Sequence, residues 1–286
     1  MKRDLFDRLE ALKPKFSKGQ RLISAYILDH YDRAIYMTAA KLGSTVGVSE
    51  STVVRFAVEL GYDGYPEFQH ALQEYVKTKL TSIQRMEVSG NRIGGEDILQ
   101  NVLSADIDTL RQTRENMSRA DFDHAVQLLS EARTIYILGV RSSAGLASFL
   151  GFYFNLVLDN VRLIQTTSAS EMFEQMLRVG EGDVVIGISF PRYSKRTVKA
   201  MEYAHRRGAS LIALTDSEQS PLATYSDAKL IARSDMVSFV DSLVAPLSII
   251  NALIAAVASK RRADLSNIFS QLESIWEEYE VYENLG

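Results

Sequence analysis

A chain of 286 residues has room for about two domains. Hydrophobic residues make up 46% and charged residues 24%, the profile of a globular chain rather than a disordered or fibrous one, and with no cysteine both disulfide frameworks and thiolate metal sites are excluded. The net charge of −4 is unevenly spread: residues 1–86 carry 13 Lys and Arg against 10 Asp and Glu, and residues 87–286 carry 19 against 26. A mildly basic head on an acidic body allows the head to meet nucleic acid.

The opening MKRDLFDRLE is charged where a signal peptide needs an apolar segment, which points to a cytoplasmic protein. The first 86 residues read as short helices. Asp4–Leu12 is the first and Ser17–Tyr31 the second, with Ile23, Tyr26 and Ile27 at helical spacing. Thr38–Ser44 is a third and the segment after Ser49 a fourth. Pro66 opens a fifth, whose stripe continues through Leu72, Tyr75, Val76 and Leu80. The stretch from Val88 to Gly95 then holds three glycines and no periodicity, as a linker would. The expected division is a helical head, 1–86, a linker, 87–95, and a body, 96–286.

The body begins with helices over Glu96–Met117 and Asp121–Ala132. The pattern then changes to short apolar runs: Thr134–Leu138, Val161–Ile164, Asp183–Ser189, Ser210–Thr215 and Lys229–Ile231. Amphipathic segments separate most of them, so the expected fold is an α/β doubly wound parallel sheet covered on both faces. Ligands of such sheets sit beyond the carboxyl ends of the strands. The apolar run Leu243–Ala258 is too short to span a membrane and reads as a buried helix. A last helix follows at about 264–283.

In the head, VGVSESTVVRF covers Val46 to Phe56. With Ser49 as N-cap, Val53, Phe56, Ala57 and Leu60 form the buried stripe of a helix. The opposite face holds Glu50, Ser51, Thr52, Arg55 and Glu59. Short hydroxyls and an arginine at a helix N-terminus suit a major-groove reader, since arginine forks onto guanine and Ser or Thr reaches phosphates or bases. Upstream, TAAKLGSTVGVS supplies a helix, a turn with Gly47, and Val48 packing inward, which is helix-turn-helix spacing. The small residue at Gly43 suits a close helix crossing. The competing reading is a plain helical hairpin.

The run TAAKLGSTVGVSESTVVRFAVELGYDGYPEFQHAL resembles the DNA-binding head of the RpiR family of bacterial transcription regulators. The matching positions are Gly47, Val48, Ser49, Thr52, Val53, Arg55, Phe56, Leu60, Gly61 and Gly64. Tyr62 and Tyr65 stand where phenylalanines are usual. The resemblance implies double-stranded DNA as partner, and Lys41, Ser49, Glu50, Ser51, Thr52 and Arg55 form the candidate contact set.

In the body, GVRSSAG (Gly139–Gly145) and SFPRYSKRT (Ser189–Thr197) each place serines and an arginine between a strand and a helix. Helix N-termini favour anions, so both are candidate cradles. Serines there also serve as simple turn and cap residues. The candidate ligand set is Arg141, Ser142, Ser143, Ser189, Arg192, Tyr193, Ser194 and Thr197, with Thr166–Glu171 as a third segment. Residues 134–260 are similar to a sugar isomerase (SIS) domain, the usual body of RpiR-type regulators, which holds phosphosugars. Its typical loops are Gly-x-Gly-x-Ser and Ser-x-Ser-Gly-x-Ser/Thr. Gly139, Ser143, Ser189 and Ser194 match them, whereas Arg141, Pro191 and Arg192 depart. The resemblance therefore implies a phosphosugar or another small anionic metabolite, and a homodimer or homotetramer.

No cofactor or metal is implied. The histidines His30, His70, His124 and His205 lack metal-ligand spacing, and nucleotide-binding glycine motifs are missing from the sequence. In the last helix, Leu265, Ile268, Phe269, Leu272, Ile275 and Trp276 suit core packing or a dimer seam, with packing the preferred reading. Three functions remain: a metabolite-sensing, non-enzymatic regulator, which is preferred; a phosphosugar isomerase; and a ligand-binding protein without DNA contact. An isomerase needs a base near the sugar carbon. Glu171 and His205 are the only nearby candidates, and His205 sits late in its helix.

Overall fold

The structure is a computed structural model that describes residues 5–79, 81, 83–86, 97–166, 168–236 and 240–282. The expected linker, 87–95, lies outside the described residues, as do Asp4, Leu80, Glu96, Thr167 and Glu283 of the segments named above. Apart from Val240, the described chain divides into two compact units that meet in sequence at Ile98 and Leu99.

The first unit is helical: α1 (Leu5–Leu12), α2 (Lys18–Asp29), α3 (Tyr31–Ala34), α4 (Ala39–Val46), α5 (Glu50–Glu59) and α6 (Tyr65–Lys79). Ser17 and Gln20 form a complete capping box on α2. The helix expected to run through Tyr31 breaks at His30, which leaves the helical region at φ −136° and ψ 39°. The core is aromatic. Phe16, Phe56 and Phe68 are fully buried, with Phe56 centred 5.3 Å from Phe16 and 5.9 Å from Phe68. Each such pair contributes about 0.5–1.5 kcal/mol beyond the area it buries. Tyr65 donates to the Met37 carbonyl at 2.6 Å, and burial pushes its hydroxyl up to about 12.

The second unit opens with α7 (Ile98–Asn116) and α8 (Arg119–Glu131). Alternation follows: β1 (Ile135–Gly139), α9 (Ser143–Val157), β2 (Val161–Ile164), α10 (Ala169–Gln175), β3 (Val184–Ile188), α11 (Lys195–Arg206), β4 (Ser210–Thr215) and β5 (Ala228–Ile231). Helices α12 (Val244–Lys260) and α13 (Arg262–Glu278) close it. All strand pairs are parallel, in the order β2-β1-β3-β4-β5. Period-two alternation gives the sheet two apolar faces. Ile135, Ile137, Ile186 and Ile212 face a core shared with α8, α9 and α12. Tyr136, Leu138, Val185 and Leu211 face one shared with α10 and α11.

Two helices depart from expectation. The run expected to be buried forms α12, but Asn251, Ala252 and Ala255 are exposed while Ile250, Leu253 and Val257 pack inward. Small residues make that helix apolar all round without requiring cover all round. In α13, among the described residues, Leu265 is buried, Ile268 packs beside the core, Leu272 and Trp276 are half-buried and Phe269 and Ile275 are exposed, so core packing accounts for part of its stripe. Among the described residues no single helix is long and apolar enough to cross a membrane.

Candidate functional site

In the head, α4 ends two residues later than expected, and Gly47 turns the chain at φ +76°. Ser49 then caps α5, its hydroxyl accepting from the Thr52 amide at 3.3 Å. Gly43 has a steric cause: a Cβ there would sit 2.8 Å from the Val48 carbonyl oxygen. Alanine would favour the helix by about 1 kcal/mol, but the close approach of the turn forbids it. Val53, Phe56, Ala57 and Leu60 are buried as expected.

Lys41, Ser49, Glu50, Ser51 and Arg55 are all exposed. The hydroxyls of Ser49 and Ser51 lie 2.9 Å apart, and those of Ser49 and Thr52 2.8 Å apart. Arg55 donates through Nε to the Ser51 carbonyl at 3.2 Å and keeps the guanidinium end outward. Thr52 is less exposed than its place on the outer face of the helix suggests. It is half-buried, and its methyl lies within 3.4 Å of where a Gly19 Cβ would stand. Val48 is likewise half-buried against Gly19 rather than in the core. The start of α2 is therefore part of this surface. Ser17, Gly19 and Gln20 line a shallow groove with Ser49, Thr52, Arg55 and Glu59, and Gln20 hydrogen-bonds Glu59. Helical spacing along α5 alone carried no sign of this, because the contact joins separate elements.

In the body, β1 and β3 are neighbours, with Gly139 paired to Ile188. The chain leaves β1 to build β2 on one side and returns to build β3 on the other. The β1–α9 and β3–α11 loops therefore flank the switch in strand order, where doubly wound sheets bind ligands. Gly139 must be glycine: a Cβ would lie 2.6 Å from the Ser143 carbonyl oxygen. Arg141 adopts φ +58°, a left-handed conformation that costs a side-chain-bearing residue about 1 kcal/mol.

Two serines of this set, Ser189 and Ser194, serve their loop itself. Ser189 is buried and accepts from the Ser194 amide at 3.1 Å; Ser194 accepts in turn from the Thr197 amide at 3.4 Å. Ser143 is buried, and Ser142 is exposed and makes no capping bond. Tyr193 donates to Asp216 at 2.8 Å, reaching the loop after β4, a partner that sequence spacing did not suggest. The Thr197 hydroxyl is fully buried and meets no partner among the described residues. Arg141 and Arg192 are exposed and form no ion pair among the described residues. Arg133, by contrast, grips Asp183 at 2.9 and 2.8 Å. In the third segment Thr166 bonds the Glu171 carboxylate, and the Ser168 amide donates to Thr166 at 3.0 Å. His205 lies at the far end of α11, its ring 5.6 Å from that of Tyr225. Among the described residues no His, Asp or Glu cluster has the geometry of a metal site.

A capped helix on a helix-turn-helix head and a nucleotide-type sheet with two strand-end loops define a two-part, DNA-associated class of protein. The comparisons agree region by region. The model of the helix-turn-helix domain, rpiR family, matches residues 4–79, and that of the SIS domain matches residues 128–256. The chain belongs to the rpiR family of helix-turn-helix transcriptional regulators, with a SIS domain as its body. It is 26% identical over 271 residues to the regulator HexR of Pseudomonas aeruginosa, covering 92% of each chain. A helix-turn-helix regulator of Clostridium perfringens is 25% identical over 227 residues, 79% of this chain and 80% of that one. The sugar isomerase domain of the RpiR transcription factor from Sphaerobacter thermophilus matches at TM-score 0.60 and 26% identity, over 63% of this chain and 99% of its own. NanR of Vibrio vulnificus, solved with ManNAc-6P, matches over 96% of this chain and 98% of its own at TM-score 0.59; at 21% identity that likeness carries the fold.

Proposed function

We propose that this regulator reads duplex DNA through the outward face of α5 and answers to a phosphosugar or similar small anion at the carboxyl ends of β1 and β3. The observation that carries the DNA half is the exposed row of Ser49, Ser51 and Arg55 on a helix whose other side is fully buried. Lys41 and Glu50 complete the edge of that row, and Thr52 contributes its hydroxyl. The ligand half is supported by two uncommitted guanidiniums, Arg141 and Arg192, beside two helix N-termini. In this reading Ser142, Ser143, Ser189, Tyr193, Ser194 and Thr197 shape the pocket, and no catalytic step is required. The division into a head, 1–86, a linker, 87–95, and a body, 96–286, belongs to the same reading, as does action in the cytoplasm.

Two copies of the head place two reader helices on successive major-groove faces, so half-sites lie about 34 Å apart or at a multiple of that distance. Ligand shifts the balance only if it binds the DNA-competent and DNA-incompetent arrangements with different affinity. The test is fluorescence anisotropy on upstream DNA fragments beside a thermal-shift screen of phosphorylated sugars and small organic acids. Arg192→Ala should abolish the ligand response and leave DNA affinity intact; a normal response moves the pocket elsewhere. Failure to bind any fragment would favour a ligand-binding protein without DNA contact. The isomerase alternative draws only on Glu171, since His205 is a helix length away from the loops. Turnover of phosphopentoses or phosphohexoses that Glu171→Ala removes would replace the regulator reading with an enzymatic one.

A further inference from the structure

Gln20, in the first turn of α2, is engaged at both ends of its side-chain amide. Its Oε1 accepts from the Ser17 amide at 2.8 Å, and a backbone N–H can meet only the oxygen of such a group. The Nε2 therefore faces the other way, where it donates to the carboxylate of Glu59, the last residue of α5. The reach is short because α2 lies against α5: a Cβ on Gly19 would stand 3.3 Å from Val48 Cγ1 and 3.4 Å from Thr52 Cγ2.

Thr52, Arg55 and Glu59 follow one another along α5 at intervals of three and four residues, so they share one face. Arg55 and Glu59 are opposite charges one turn apart, both exposed, at the spacing where helices form ion pairs. Here they do not pair. Arg55 Nε donates to the Ser51 carbonyl at 3.2 Å, which draws the side chain toward the amino end of α5, and the guanidinium makes no ion pair among the described residues. Glu59 is engaged by Gln20 instead. Two side chains that would neutralise each other are kept apart, one by its own helix and the other by α2.

We propose that Gln20 is a positioning residue for Arg55: by holding the Glu59 carboxylate it leaves the Arg55 guanidinium available to a guanine edge. This role rests on the proposed reading of DNA through α5. Without the Gln20 bond, Glu59 pairs with Arg55, and the guanidinium must break that pair before it can fork onto a base. Phosphate contacts are common to every duplex, so the cost falls on discrimination between sequences.

The test uses the full chain, a duplex it selects from a randomised pool, and a random duplex as competitor at fixed salt. Gln20→Ala should lower the ratio of specific to random affinity about twofold, the scale of one helical ion pair. In a Glu59→Gln background the same change should cost nothing further, because no carboxylate is left to pair with Arg55. A clamp that only fastens α2 to α5 predicts the opposite: the amide introduced by Glu59→Gln still accepts from Gln20, so losing Gln20 lowers the ratio equally in both backgrounds. Gln20→Glu is the second probe. It keeps the acceptor that closes the capping box on α2 and removes the donor, so the same drop is expected with the cap retained. In the DNA-free protein, NMR of the Arg55 guanidinium should show slower rotation about its Nε–Cζ bond in Gln20→Ala, as ion pairing requires. An undiminished ratio in both Gln20 variants, or an equal loss in both backgrounds, overturns the proposal. Arg55→Ala keeps the two failures apart: an unchanged ratio there rejects the reader and the role of Gln20 together, whereas a lowered ratio there with an undiminished one in the Gln20 variants rejects the role of Gln20 alone.

Discussion

Helices α5 and α11 start from the same four-residue pattern, Ser49-Glu-Ser-Thr52 in the head and Ser194-Lys-Arg-Thr197 in the body. In both, the serine hydroxyl accepts from the threonine amide, at 3.3 and 3.4 Å. The caps are locally equivalent, and what surrounds them is not. The Ser49 hydroxyl sits on an exposed surface with Ser51 and Thr52, open to something large and flat-sided. Ser194 belongs to the loop at the carboxyl end of the central strand β3, where Ser189 is buried and Thr197 has no exposure at all. What a capped N-terminus leaves exposed therefore follows from the layer it emerges from, not from the cap.

The comparison breaks most sharply at Phe56. Phe56→Ala should destabilise the head by about 3–5 kcal/mol, read by urea unfolding, and abolish DNA binding while the body's ligand-induced thermal shift survives. Retained DNA affinity would mean that the placement of α5 is not what binds. Next in size, Arg55→Ala should lose about 1–3 kcal/mol of discrimination between a specific and a random duplex, measured by competition at fixed salt. Unchanged discrimination would remove Arg55 from the reader role.

On the other helix, Thr197→Val keeps the shape and removes a buried hydroxyl that meets no partner. Apolar replacement of such a group should raise the melting stability of the ligand-free body by about 1 kcal/mol. If that hydroxyl meets the ligand, the same variant should also reduce ligand-induced stabilisation. A stabilised body with an undiminished ligand response would make Thr197 purely structural, and the parallel with Thr52 would end at the cap.

The smallest effect is the pH response of Tyr65. Its hydroxyl is protonated in both states below about pH 10, so it adds no slope there. Between that value and about 12 the unfolded chain ionises first, and stability falls as pH rises. Tyr65→Phe should flatten that part of the alkaline stability curve while losing the bond to the Met37 carbonyl. An identical alkaline slope in the variant would assign the fall to other groups.

Much of this molecule follows from neighbours in the chain. The caps at Ser49 and Ser194, the limits of β2 and β4, the buried stripe of α5 and the tight turn beside Gly43 rest on spacing, propensity and backbone sterics, which act within a few residues. Strand order is different. Only the assembled sheet brings Gly139 beside Ile188 and so sets the two candidate loops next to each other. The unequal burial of Thr52 and Thr197 was also invisible locally, because Gly19 and the face of the sheet approach from distant sequence. So was the exposure of Phe269 and Ile275 on α13, whose apolar side chains would look the same in a core. Local chemistry chose the elements; burial, which depends on what the rest of the chain stacks against them, decided what each face is free to do.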